Sequence, residues 1–216
     1  MPILCICLTQ KFSGSYQSAL AAKNLMLTEF PDAEIEVLDS QLVTALQGLL
    51  VLEAAKLRDA GLSLAQALPR LEAIRPTGHI FFTTRDLKYL QHGGRISGVA
   101  YAAGSLLILK PLLHFYDGKL DPPQICRGVK HSLSKVVDLF ISYLKQAGMD
   151  LRGYVFGTGI GLDIPEYQSF MDLIQEKFRE NNIQPDEWIK IHIGATIGVH
   201  TGPYPMGLGI LKKCDL

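Results

Sequence analysis

Ile3-Leu-Cys-Ile-Cys-Leu8, followed by the turn Thr9-Gln-Lys-Phe-Ser13-Gly14-Ser15 and a helical stretch to about Phe30, decides how this chain is read. An unbroken apolar run of this length, closed by turn residues, predicts a strand covered on both faces. In the stretch after the turn, Ala19, Ala22, Leu25 and Met26 recur at spacings of three and four, which predicts the buried stripe of a helix. Pro31-Asp32 ends that helix, and Ile35-Glu-Val-Leu38 reads as the next strand. A second helix is predicted from about Val43 to Ala60, with Gly61 as its stop, and a third from Ser63 to about Ile74, with Ser63 as cap. Strand and helix alternate here without hairpin signals, the pattern of a parallel α/β layer.

Beyond Pro76-Thr-Gly78 the pattern changes. His79-Ile-Phe-Phe-Thr83 predicts a strand, Thr84 a cap, and the next residues a short helix ending at His92-Gly93-Gly94. A helix is expected over 97–105, a hairpin over Leu112 to Leu120 turning at Asp117-Gly118, and long helices from Lys130 to Ala147 and from Pro165 to Asn181. Strands are expected at Gly153 to Phe156, Trp188 to Ile193 and Gly207 to Leu211. The expected architecture is therefore α/β. It has an incomplete parallel-sheet α/β domain over 1–77 and a C-terminal α+β domain with a mixed sheet over 78–216. Two strands are few for the first domain, so the expectation is that the second half or another chain completes its sheet, or that an N-terminal piece is missing.

Composition narrows the function. The chain has 216 residues, 48% of them hydrophobic and 19% charged, enough apolar content for a sizeable core. Lys plus Arg and Asp plus Glu both total 21, giving zero net charge, against the basic excess of a nucleic-acid or anionic-membrane binder. No apolar run is long enough for a transmembrane helix, and Met1-Pro-Ile-Leu-Cys has no basic n-region or cleavage site. A cytoplasmic protein is expected. Cys5, Cys7, Cys126 and Cys214 match neither a zinc pattern nor a disulfide framework. No metal or cofactor is expected, and Cys5 and Cys7 read as packing residues on one strand face.

Three short segments carry candidate chemistry. The turn with Ser13 and Gly14 places hydroxyls and free backbone N–H groups at a helix start, either as a cap or as a small anion site. Gly93-Gly94-Arg95 ends a helix and then presents a guanidinium, whose fixed fork of donors suits an anion. Val199-His200-Thr201-Gly202-Pro203 puts an imidazole and a hydroxyl at a tight turn. Gly157-Thr-Gly159-Ile-Gly161-Leu162 lacks the third glycine of a dinucleotide fingerprint. Ser13 lacks a GxSxG elbow, which weakens, without removing, an acyl hydrolase or transferase that uses Ser13 and His200.

Taken together, several segments resemble the DegV family, in the family's order. They are Ser13-Gly-Ser-Tyr-Gln-Ser-Ala19, Asp39-Ser40 with Gln47-Gly-Leu-Leu-Val-Leu-Glu-Ala-Ala-Lys56, Asp86-Leu-Lys-Tyr-Leu-Gln-His-Gly-Gly-Arg-Ile96, Leu109-Lys-Pro-Leu-Leu113, Asp117-Gly118-Lys119, Arg127 and His200-Thr-Gly-Pro203. The resemblance implies the family's EDD fold and a long-chain fatty acid held between two domains. It also implies that the protein is not itself an enzyme and presents the acyl carboxylate to an ATP-dependent fatty-acid kinase subunit, which makes the acyl phosphate. On this resemblance the carboxylate ligands are Ser13, Gly14, Arg95, His200 and Thr201, and Arg127 meets the kinase. Leu-, Ala- and Gly-rich segments at 46–57 and 99–109 are expected to line the acyl tunnel. Some fourteen buried methylenes would gain roughly 11 kcal/mol gross at about 0.8 kcal/mol each. The chain departs from the family twice. The resemblance implies that the N-terminal half of the carboxylate site is expected to be missing, so a homo-oligomer completing the domain, or a remnant that only binds a partner, enters the expectation. Tyr204 stands where the family has glycine, and is expected to narrow the entrance or to change which lipid fits.

Overall fold

The computed structural model describes residues 1–95, 109–121, 124–162 and 164–215. The expected helix over 97–105, and the expected tunnel residues 99–108, lie outside the described residues. Strand β1 (Ile3–Cys7) and strand β2 (Ile35–Asp39) pair in parallel from Ile3 opposite Ile35 to Cys7 opposite Asp39. Helix α1 (Ser15–Glu29) makes the crossover between them. Leu4, Ile6 and Leu8 pack into a core on one side of this pair. Helix α1 buries no residue fully, and Leu25, Met26 and Phe30 are exposed. Its half-buried residues are Tyr16, Ala19, Leu20, Lys23 and Leu27, with Lys23 bonded to Glu36 at 2.8 Å. Of the expected stripe Ala19 is among them, whereas Ala22, Leu25 and Met26 are exposed. Alanine and leucine surround the helix on several sides, so the apolar period alone did not select a face.

Helices α2 (Thr44–Asp59) and α3 (Leu64–Ile74) follow. The predicted cap at Ser63 is a full capping box: the Ser63 hydroxyl accepts from the Gln66 N–H, and the Gln66 side chain accepts from the Ser63 N–H. Both helices lie on a second, seven-stranded mixed sheet. Its strands are β3 (His79–Thr83), β4 (Leu109–Tyr116), β5 (Lys119–Leu120), β6 (Gln124–Arg127), β7 (Tyr154–Ile160), β8 (Trp188–His192) and β9 (Met206–Lys212). The order is β5-β4-β3-β9-β7-β8, with β6 pairing the other end of β4. Neighbours are antiparallel except β7 and β8. Gly207 and Gly209 lie inside β9 and not at a turn.

Alternation along the strands divides the core into two layers. Phe81, Phe156 and Ile210 face α5 (Val129–Ala147) and α6 (Pro165–Glu180), where Phe140, Phe170 and Phe178 complete the packing. Ile80, Val155 and Leu211 point the other way, onto Leu46, Leu49 and Leu50 of α2. The layer over this second face is therefore built from helices that precede residue 77. Two short helices, α4 (Leu87–His92) and α7 (Ala195–Thr201), stand at one end of the sheet and touch each other. Sequence reading expected Thr84 to cap α4. Asp86 does so, accepting from the Lys88 N–H, while the buried Thr84 hydroxyl donates to the Thr201 carbonyl. His200, expected at a turn after a strand, lies in α7.

Candidate functional site

Where β1 ends, the chain folds back on itself. The Thr9 N–H donates to the Leu42 carbonyl, and the Phe12 and Ser13 N–H groups donate to the Thr9 carbonyl. This compact turn leaves Ser13 half-buried just before α1. Its Oγ accepts from the Ser15 N–H at 3.2 Å and lies 3.1 Å from Ser15 Oγ. The residue at the helix cap is Gly14, which has no side chain to offer.

Ser13 borders a cavity of about 220 Å³ between the β1 turn, the start of α2, the central strands and the α4–α7 end of the sheet. Its walls are mostly apolar: Leu8, Phe12, Val43, Ile80, Phe82, Leu90, Phe115 and Met206 are among them. Polar groups on the lining come from Ser13, Thr44, Arg95, Thr196, His200 and Thr201. The structure thus brings Ser13, Arg95, His200 and Thr201 to one space, although they come from three separate parts of the chain. Arg95 is tied to the same turn: its Nε donates to the Phe12 carbonyl at 3.3 Å and its Nη1 to the Gly93 carbonyl at 2.7 Å. His200 Nδ1 is buried without a hydrogen-bond partner. A buried polar atom of this kind costs stability unless a ligand or water satisfies it. The Thr201 hydroxyl is already directed at the Ile197 and Gly202 carbonyls, each at 3.2 Å, so its proton is not aimed at the cavity. Gly14 lies outside the cavity lining, in an adjoining surface groove shared with Ser13 and Arg95.

An apolar space with a guanidinium, an imidazole and a hydroxyl on its wall suits a ligand with a long apolar body and one anionic head. The guanidinium is charged at every physiological pH and offers five donors. A carboxylate leaving water needs such donors to stay ionised. For serine catalysis the arrangement is poorer. Ser13 Oγ is engaged with Ser15, and His200 Nδ1 has no acid to orient it.

Other expectations land elsewhere. Arg127 is exposed at the end of β6, opposite Leu109, away from the cavity lining. Leu46, Leu49 and Leu50, expected along an acyl tunnel, are sheet-facing core, and α2 reaches the cavity through Thr44 at its first turn, just after Val43. Tyr204 does not narrow the cavity: its ring lies under the Arg85 guanidinium at 4.3 Å, and Arg85 also pairs with Glu166. Thr44 was missed. It is a β-branched residue at φ 49°, a left-handed conformation that such residues rarely adopt. Its only sequence signal is a β-branched pair, Val43-Thr44, at a helix start.

Two further polar groupings lie apart from the cavity. On the α5 side of the sheet, His79 Nδ1 and His114 Nε2 are 2.9 Å apart, and His114 Nδ1 is 2.9 Å from Asp121. Tyr116 and Tyr143 stack on His79. Burial, reinforced by the neighbouring His114, pushes the His79 pKa down to about 4. Burial also lowers that of His114, against the pull of Asp121. On β1, Cys5 and Cys7 lie with sulfurs 3.7 Å apart, and burial pushes the Cys7 thiol up to about 11. Among the described residues, no three His, Cys, Asp or Glu side chains are grouped to hold a metal, and no helix is long and apolar enough to cross a membrane.

A family model described as "Uncharacterised protein, DegV family" matches residues 1–213. A DegV domain-containing protein of Caldanaerobacter subterraneus is 31% identical over 211 residues, covering 98% of this chain and 71% of the relative. Among solved structures, a stearic-acid-binding protein from Eubacterium ventriosum superposes with a TM-score of 0.86 at 36% identity, covering 99% of this chain and 71% of that one. A DegV family protein from Thermus thermophilus, described for its fatty acid binding, gives a TM-score of 0.77 at 27% identity, covering 98% of this chain and 71% of that one.

Proposed function

The chain belongs to the DegV family, and on that footing we propose that it binds a long-chain fatty acid, with the acyl chain in the apolar cavity and the carboxylate toward Ser13, Arg95 and His200. The observation that carries this reading is the convergence of those three side chains on one mostly apolar space. The stearic-acid-binding relative from Eubacterium ventriosum, similar over 99% of this chain, supports it. The acyl body supplies most of the affinity through burial, and the polar wall selects a carboxylate over an uncharged head. The protein acts as a carrier in the cytoplasm and does no chemistry of its own. It presents the carboxylate to an ATP-dependent kinase subunit, with Arg127 at the docking face. A carboxylate is already ionised at pH 7, so phosphorylation of the bound acid needs no general base from this chain. It needs positive charge near the acceptor oxygens, which Arg95 provides.

The test has two arms. Solvent extraction of freshly purified protein followed by mass spectrometry should release fatty acids, and delipidated protein should take up oleate or palmitate. Absence of lipid together with no uptake would refute the binding reading. The kinase step is tested separately by mixing oleate-loaded protein with a fatty-acid kinase subunit and ATP and trapping acyl phosphate as its hydroxamate. Loaded protein that yields none would remove the carrier role and leave binding.

A further inference from the structure

Arg95 and His200 both meet one glycine. Gly93 is buried just beyond α4, and its N–H donates to the Tyr89 carbonyl at 2.9 Å. Its carbonyl accepts from Arg95 Nη1 at 2.7 Å. A Cβ at this position would sit 2.4 Å from His200 Nδ1 and 3.2 Å from Cγ, so the imidazole rests where a side chain would otherwise be. The contact is mirrored on α7. Gly202 has φ 78°, and a Cβ there would come within 2.7 Å of Cδ2 on the Tyr89 ring. Each short helix therefore lays a ring on the other's glycine. The buried bond from the Thr84 hydroxyl to the Thr201 carbonyl ties the pair to the end of β3.

We propose that Gly93 is a positioning residue for the carboxylate site: one peptide unit seats the His200 imidazole on its α-carbon and holds the Arg95 guanidinium on its carbonyl, setting the spacing of the two groups. Six-residue α4 and seven-residue α7 are too short to keep an orientation by their own hydrogen bonds. The interlock supplies the rigidity that a preorganised site requires. This inference rests on the proposed fatty-acid reading of the cavity.

The experiment is a double-mutant cycle on oleate affinity. Gly93→Ala should weaken binding about tenfold, the scale of one lost hydrogen bond to a charged group. The same change made in a His200→Ala background should cost less than about twofold, because the ring it displaces is gone. Gly198→Ala is the control: its Cβ would meet nothing within 4 Å and it lies outside the cavity lining, so affinity should stay within about twofold. Equal penalties in both backgrounds, or unchanged affinity in Gly93→Ala, would overturn the positioning role. A wild-type chain that takes up no oleate would overturn the underlying reading as well. If Gly93→Ala does not fold, wild-type NMR decides: a nuclear Overhauser contact between the Gly93 Hα and the His200 ring is expected, and its absence overturns the proposal.

Discussion

Replacing Ser13 by alanine separates a role that its hydroxyl has in the structure from the one proposed for it. The first is local: Oγ accepts one bond from the Ser15 N–H at 3.2 Å in an exposed turn. Such a bond contributes at the low end of the usual net range, about 0.5 kcal/mol, because water replaces it readily. For a chain of 216 residues that is a loss of about 1–2 °C in Tm. The second role is the proposed one, donation to a bound carboxylate. A hydrogen bond to a charged group is worth about 1.5–3 kcal/mol, so the affinity for oleate should fall roughly 10- to 150-fold. The two numbers are read separately, Tm by calorimetry and Kd by titration of delipidated protein with oleate. Ser15→Ala, which lies outside the cavity lining, serves as reference for the turn. The reasoning is refuted if Ser13→Ala binds oleate within twofold of the parent, since the hydroxyl would then be only part of the turn.

Thr44→Gly should relieve about 1–2 kcal/mol of left-handed strain and lose about 0.5–1 kcal/mol to chain entropy. The net effect is a Tm raised by about 2 °C with weaker oleate binding; a lowered Tm would show that φ 49° is not strained here. Stability should decline as the pH drops from about 6.5 toward 4, because His79 stays neutral in the fold until about pH 4 whereas the unfolded chain takes up that proton near 6.5. His79→Phe should flatten this slope in urea titrations, and an unchanged slope would remove the His79–His114 pair as its source. With Cys7 and Cys214 both pushed up to about 11 by burial, neither thiol should react quickly with iodoacetamide in the folded protein at pH 7.5. Rapid labelling of either site, mapped by peptide mass spectrometry, would contradict that burial. Tyr204→Gly should leave the acyl-chain preference unchanged, because the ring packs on Arg85; a shift toward longer acids would place Tyr204 at the entrance after all.

Local pattern was enough for much of the fold. The apolar run in His79-Ile-Phe-Phe-Thr83, the serine ahead of α3 and the strand, turn and helix around Ser13 each encode backbone dihedrals within a few residues, and these elements stand where expected. The functional groups were also legible as types: a hydroxyl after a strand, an arginine after two glycines, a late imidazole. Where several faces of an element are apolar, the pattern failed, as in α1, whose inward stripe includes Lys23 in place of Met26. It failed again for His200, because a seven-residue helix with one glycine and four β-branched residues carries no helical signature.

Residue order and spacing alone settled the family resemblance, the alternation of elements and the list of side chains able to hold an anion. Which of those side chains share a space came from packing. Ser13, Arg95 and His200 meet because the β1 turn, the end of α4 and α7 converge at one end of the sheet, and Gly93 admits the imidazole by having no side chain. A cavity is the place where packing stops. Its shape depends on how whole elements lie against each other, which no short stretch of sequence records.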